Sequence, residues 1–111
     1  MIGAGGNIQV WLATSPVDMR KSFDGLAEVV RAFLGHDPLS GNLFVFRNRC
    51  GQRVKVLWWD KNGLALYYKR LEQGTFQFPA SDQKSVPVDS TQLMRLLEGL
   101  EPAVAAGPTQ R

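Results

Sequence analysis

From Leu43 to Phe78 short apolar runs are separated by residues that reverse a chain, and that rhythm leaves room for hairpins and little else. Leu43–Arg47 and Arg53–Asp60 are rich in valine, leucine and aromatic residues and flank a short loop containing Gly51. Asp60-Lys61-Asn62-Gly63 carries an Asn-Gly pair, the strongest short-range hairpin signal, and leads into Leu64–Leu71. Glu72-Gln73-Gly74 turns the chain into Thr75–Phe78, which Pro79 ends. After a polar loop over Ala80–Lys84, Ser85-Val86-Pro87-Val88 reads as a short edge strand, because proline cannot donate to a ladder.

Helical signals bracket this strand-rich middle. A first strand is expected over Ile8–Thr14, after a glycine-rich start. Ser15-Pro16-Val17-Asp18 has the chemistry of a helix start: serine as N-cap, proline at the first helical position and an acid at the third. Met19, Phe23, Leu26, Val30, Phe33 and Leu34 then recur at steps of three and four, one apolar face of a long helix ending at Gly35. Gly25 costs about 1 kcal/mol inside that helix, so the part before it could instead be an irregular turn. Asp89-Ser90-Thr91-Gln92 forms a second capping box, followed by Leu93, Leu96, Leu97 and Leu100 as the stripe of a last helix. The order β-α-β-β-β-β-β-α predicts an α+β fold. Its elements are an antiparallel β-meander of about five to six strands, a long helix after strand 1 and a C-terminal helix packed on the sheet. A single domain over residues 1–102 and a disordered tail over residues 103–111 are expected, since the chain has 111 residues and no internal linker.

Charge is distributed less evenly than the net +3 suggests. Arg47, Arg49, Arg53, Lys55, Lys61, Lys69 and Arg70 fall in one window with a single acid, Asp60, making that window +6 and the remainder −3. Most of the aromatic residues lie between Phe44 and Phe78, over the same stretch. Basic residues interleaved with aromatics have the composition of a nucleic-acid surface, and equally of a solvated sheet face over an aromatic underside. The apolar runs are too short for a transmembrane helix, so no membrane partner is expected. The start lacks the charged and apolar regions of a secretory signal, and a lone Cys50 excludes an internal disulfide; both fit a cytoplasmic protein.

Catalytic chemistry finds few footholds. Cys50 sits among arginines that would favour its thiolate, but its only available base is His36, just beyond a helix end. Asp60 ends a strand as nuclease carboxylates do, yet a two-metal site needs further acids to converge on it from Asp18, Asp24, Glu72 or Asp82. Asp60 is also the natural first residue of its hairpin. No glycine-rich phosphate loop is present, and a faint likeness of residues 41–46 to an RNA-recognition strand fails on the order of elements. No catalytic residue, metal or cofactor is therefore expected. If both hairpins are regular, Arg47, Arg49, Arg53 and Lys55 share a face with Trp59, extended by Tyr67 and Lys69 and bordered by Arg70. Such a face could hold a phosphate backbone or an acidic protein, and it has no element that reads base sequence.

Five ordered motifs resemble a known family. Asp18-Met19-Arg20-Lys21-Ser22-Phe23-Asp24-Gly25-Leu26 is similar to its DMRKGFDGL motif, with Ser22 for glycine. Residues 37–49 resemble DPxSGxLFVFRNR, residues 55–63 KxLxWDxxG, residues 68–76 KRLExGxF and residues 96–100 its LLEGI ending. These are motifs of the TnpB (Orf2-like) accessory proteins of insertion sequence sixty-six elements, and the likeness runs from Ile8 to Leu100. Cys50 stands where the family commonly has a basic residue, and the alanine-rich tail lacks a tryptophan often found there. The resemblance implies a bacterial mobile-element protein that assists transposition while a separate transposase carries the cutting chemistry. Three roles follow: an accessory protein binding DNA of the element ends through the basic face, an assembly module docking on the transposase, and a nuclease using Asp60.

Overall fold

A computed structural model describes residues 7–100. Its five strands are β1 (Val10–Ala13), β2 (Leu43–Arg47), β3 (Arg53–Asp60), β4 (Gly63–Arg70) and β5 (Ser85–Val88), and its helices are α1 (Phe23–Glu28) and α2 (Ser90–Leu97). The strands form one sheet in the order β4-β3-β2-β1-β5. β1 runs parallel to β2, whereas β1–β5, β2–β3 and β3–β4 are antiparallel. The fold is thus α+β with a mixed sheet, not the antiparallel meander expected. The difference comes from the long crossover between β1 and β2, which carries α1 and returns the chain to the end where β1 began, as parallel neighbours require.

The expected hairpins form. β2 and β3 match their expected limits, β4 begins one residue early, and β5 lies at an edge as Pro87 requires. In the β3–β4 turn Asp60 pairs with Gly63, so the turn residues are Lys61 and Asn62; Lys61, not glycine, takes the left-handed conformation with φ 59°. Thr75–Phe78 does not become a strand. Its Phe76 side chain is buried, and its Phe76 amide donates to the carbonyl of Gly51 at 2.7 Å, fastening this segment to the β2–β3 loop.

The long first helix is replaced by a shorter one. Ser15 and Pro16 do not start it: the Val17 amide donates to the Arg47 carbonyl at 2.9 Å, and Asp18 accepts from the Arg20 amide at 2.9 Å. These local bonds hold residues 14–22 as a loop, as the Gly25 argument allowed. α1 runs straight into a π-helical stretch, Val29–Leu34, which Gly35 ends with φ 75°. Leu26, Val30 and Leu34 are buried at steps of four, while Phe23 and Phe33 remain 45% exposed, off the expected apolar face.

Two apolar sets occupy the two faces of the sheet. Ala13, Phe44, Phe46 and Leu57 pack with Leu26, Val30 and Leu34 on the α1 side. Val10, Leu12, Val45, Val54 and Val56 pack with Leu93, Leu96 and Leu97 of α2 on the other. The two helices therefore cover opposite faces. α2 starts as expected, with the Asp89 carboxylate accepting from the Gln92 amide and the Gln92 side chain accepting from the Asp89 amide. Residues 103–111, expected to be a disordered tail, lie outside the described residues. Because that box serves the start of a helix that closes one core, Asp89→Ala should lower stability by about 1 kcal/mol, read as a lower urea midpoint at unchanged slope.

Candidate functional site

The register of the β2–β3 hairpin decides which cations meet. Asn48 and Arg53 close the loop Arg49–Gln52: the Asn48 amide donates to the Arg53 carbonyl at 3.1 Å, and the Asn48 side chain accepts from the Arg53 amide at 3.0 Å. Phe46 then lies opposite Lys55, and Arg47 opposite Val54. Odd positions of β2 share a face with even positions of β3, so the expected common face for Arg47, Arg49, Arg53 and Lys55 does not form. In the next hairpin Lys55 faces Tyr68, Val56 faces Tyr67 and Val54 faces Lys69. Tyr67 and Lys69 consequently stand on the α2 side, away from Lys55 and Trp59.

Several of these cations serve the fold. Lys55 is only 6% exposed, and its ammonium donates to the carbonyls of Met19 at 2.8 Å and Lys21 at 2.7 Å while lying 4.6 Å from the Tyr68 ring centre. It ties the β1–α1 loop to the sheet. Lys69 donates to the Leu97 carbonyl at 2.7 Å, satisfying an unpaired acceptor at the end of α2. Arg47 donates to the Thr14 carbonyl at 2.9 Å, with its guanidinium 5.6 Å from the Phe78 ring centre. Arg70 is exposed and paired with Glu72 at 2.8 Å. Tyr67 packs partly buried beside the α2-side core. Trp59 is half-buried and pairs with Leu64 at the opposite end of β3 from Arg53.

What remains is an open cleft of about 780 Å³ at one end of the sheet. The β1–α1 loop lines it with Pro16, Met19 and Arg20, and the β2–β3 hairpin with Arg49 and Arg53. Arg53 donates to the Tyr68 hydroxyl at 2.9 Å, which fixes its guanidinium at the wall. Arg49 is exposed at the loop tip. Gly51 permits this loop with φ 76°; a Cβ there would come within 3.3 Å of Thr75. Arg20 grips Asp18 through a 2.7 Å ion pair, and that guanidinium holds the Asp18 carboxyl down at about 2, against an ordinary 3.8.

Of the expected residues, Arg49 and Arg53 line this cleft, with Lys55 beneath it. Arg20 and Tyr68 were missed, although Arg20 lies in the first motif quoted above and Tyr68 directly precedes the KRLE of the fourth. Arg20 was concealed by the expectation of a helix from Ser15, and Tyr68 by the assumed strand parity. The cleft combines arginine donors, one tyrosine and an apolar floor, which suits an extended polyanion more than a small enclosed substrate.

The acids do not converge on Asp60. Asp60 ends β3, whereas Asp18 shares the cleft with Arg53 at its beginning, about 23 Å away along the strand. No group of three or more His, Cys, Asp or Glu side chains among the described residues could hold a metal ion. Cys50 is exposed beside Asn48, while His36 stacks on Trp11 at 4.3 Å between ring centres and approaches the Ser85 hydroxyl at 3.4 Å. No helix among the described residues is long and apolar enough to cross a membrane.

The family described as IS66 Orf2-like protein matches residues 8–106. The chain belongs to this family. IS66 Orf2-like proteins are associated with insertion sequences as accessory proteins and are not a known catalytic family. Two proteins of Sinorhizobium fredii are similar along nearly their whole lengths. The uncharacterized protein y4hO is 43% identical over 101 residues, covering 91% of this chain and 88% of its own. The uncharacterized protein y4jC is 35% identical over 101 residues, covering 91% and 86%. No solved structure matches.

Two measurements check the site's construction. Lys55→Met strands the Met19 and Lys21 carbonyls and should lower stability by about 1–3 kcal/mol in urea unfolding. The Asp18 carboxyl should titrate near 2 by NMR, and in Arg20→Ala its midpoint should rise towards the ordinary value. A carboxyl whose pKa is depressed on folding stabilises the fold above its unfolded value. The Asp18 contribution is thus present above about pH 4 and is lost as the pH falls through about 2.

Proposed function

We propose that this IS66 Orf2-like chain is a non-catalytic accessory protein of insertion-sequence transposition that binds DNA through phosphate contacts at the arginine cleft. The observation that carries the reading is the convergence of two stretches distant in sequence. Arg20 from the β1–α1 loop and Arg49 and Arg53 from the β2–β3 hairpin border one open groove with Tyr68. Arginine forks match phosphate geometry, and a tyrosine at the wall adds a hydroxyl donor and a stacking surface. Since the acid in the cleft, Asp18, is engaged by Arg20, Arg49 and Arg53 carry the excess positive charge. Contacts of this kind position a protein on DNA without reading its sequence. The reading puts the protein in the cytoplasm, with DNA of the element ends and the transposase as its partners.

An assembly role on the transposase is supported by the same cleft. Pro16, Val17 and Met19 beside the arginines could take an acidic segment with apolar anchors. Gel-shift titration with element-end duplexes separates the two. Wild-type binding should weaken steeply with salt, and Arg49→Glu with Arg53→Glu should nearly abolish it. The corresponding Ala double variant should reduce the salt slope by about two. Arg31→Ala, on the π-helical stretch, should leave binding intact. Wild-type binding unaffected by salt or by the charge reversals would overturn the proposal. Absence of DNA binding with salt-sensitive capture of the purified transposase would favour the assembly role.

A further inference from the structure

Arg47 leaves most of its guanidinium unspent. The register puts it on the α2 face of the sheet with Val54, while Arg53 stands on the α1 face at the same end. Its Nη2 donates to the Thr14 carbonyl at 2.9 Å, whereas its Nε is shut away from solvent with no hydrogen-bond partner among the described residues. A guanidinium carries five N–H donors, and no carboxylate among the described residues pairs with this one. Arg47 lines a second groove, of about 440 Å³, with Arg49, Thr75, Gln77 and Ser81. No acid lines it: Glu72 is already paired with Arg70, and exposed Asp82 follows Ser81 just beyond the lining. Lys84, the next cation along the chain, lies 4.9 Å from the Phe33 ring centre. Thr75–Phe78, expected as a strand and left without a ladder, supplies the far wall. Among the described residues the amides of Gln77, Phe78, Ala80 and Ser81 take no partner. The lining is thus rich in donors, and its formal charges are two arginines.

We propose that this groove is a second phosphate subsite, and that a nucleic-acid strand held in the first cleft crosses the hairpin tip into it. The proposal rests on the DNA reading above and extends it to Arg47 and to a path from one face of the sheet to the other. Arg49 and Cys50 line both grooves, so the loop Arg49–Gln52 is the ridge between them. Paired strands lie about 5 Å apart, and a nucleic-acid strand carries a charge about every 3.4 Å along its axis. A strand laid over the ridge therefore presents phosphates to both sides within a few nucleotides. A phosphate, with more acceptor oxygens than a carboxylate, suits a wall with donors in excess.

Duplex titrations of the full chain across a salt series test the path, with folding of each variant checked in urea. Ser81→Asp adds negative charge to the second groove while keeping an acceptor for the Gln83 amide, and binding should weaken at least fivefold. The same charge from Thr91→Asp, exposed on α2, should change binding less than twofold. Arg47→Gln keeps an N–H donor for the Thr14 carbonyl and loses the charge, so the salt slope should fall by about one. If that variant fails to fold, Ser81→Asp decides. Bound DNA should also slow alkylation of exposed Cys50 at least fivefold. Binding that needs Arg53 but is unmoved by Ser81→Asp, or equally weakened by Thr91→Asp, overturns the second subsite and leaves the first cleft standing. Binding sensitive to Ser81→Asp yet indifferent to Arg53→Glu does the reverse. A chain that binds no duplex at low salt overturns both. Two results overturn the crossing strand in favour of separate anions. One is Cys50 alkylated at its free rate in the saturated complex. The other is a Ser81 amide that inorganic pyrophosphate saturates, by NMR, at a lower phosphate concentration than DNA.

Discussion

Leu43, Phe44, Val45 and Phe46 of β2, and Val54, Val56 and Leu57 of β3, are all withdrawn from water, and strands buried on both faces need a covering layer on each side. The chain supplies one layer before β2 and the other after β5. α1 and its π-helical continuation bring Leu26, Val30 and Leu34 to the Phe44 and Phe46 face, while α2 brings Leu93, Leu96 and Leu97 to the Val45 and Val56 face. Each covering layer is thin, and single bonds such as those of Lys55 and Lys69 tie distant segments together.

That arrangement also explains the cleft. Reaching the α1 face and returning parallel to β1 takes a long loop over one end of the sheet, and the β2–β3 hairpin ends there too. Lys55 is the joint between them. An ammonium taken from water needs acceptors, and the Met19 and Lys21 carbonyls provide two, so the loop carrying Arg20 is fixed beside Arg49 and Arg53. The cation that joins the two segments is itself buried.

Much of the basic window was legible as composition, but its division of labour was not. Arg49 and Arg53 stand out in the sequence only as members of the window, and they border the β2–β3 loop at the cleft. Arg47, Lys55 and Lys69 have the same residue chemistry and act mainly as internal ties, each donating to a backbone carbonyl from a distant segment. Nothing local distinguishes a lysine that will meet a carbonyl across the fold from one that will meet water. The face assignment failed for a related reason. Closing the loop at Asn48 and Arg53, where Asn48 bonds the Arg53 backbone, changes the parity of β2 against β3 by one, so Arg47 leaves the face that Arg53 and Lys55 share.

Local chemistry determined the features that depend on a few neighbouring residues: the β2–β3 and β3–β4 hairpins, the edge position required by Pro87, the Asp89–Gln92 capping box and the Gly35 stop. The ordered motifs also carried the family. Tertiary structure decided the parallel pairing of β1 with β2, the shortening of the first helix, and which arginines share a cleft. Those outcomes depend on contacts between segments tens of residues apart, where burial of both sheet faces outweighs local helix and strand preferences.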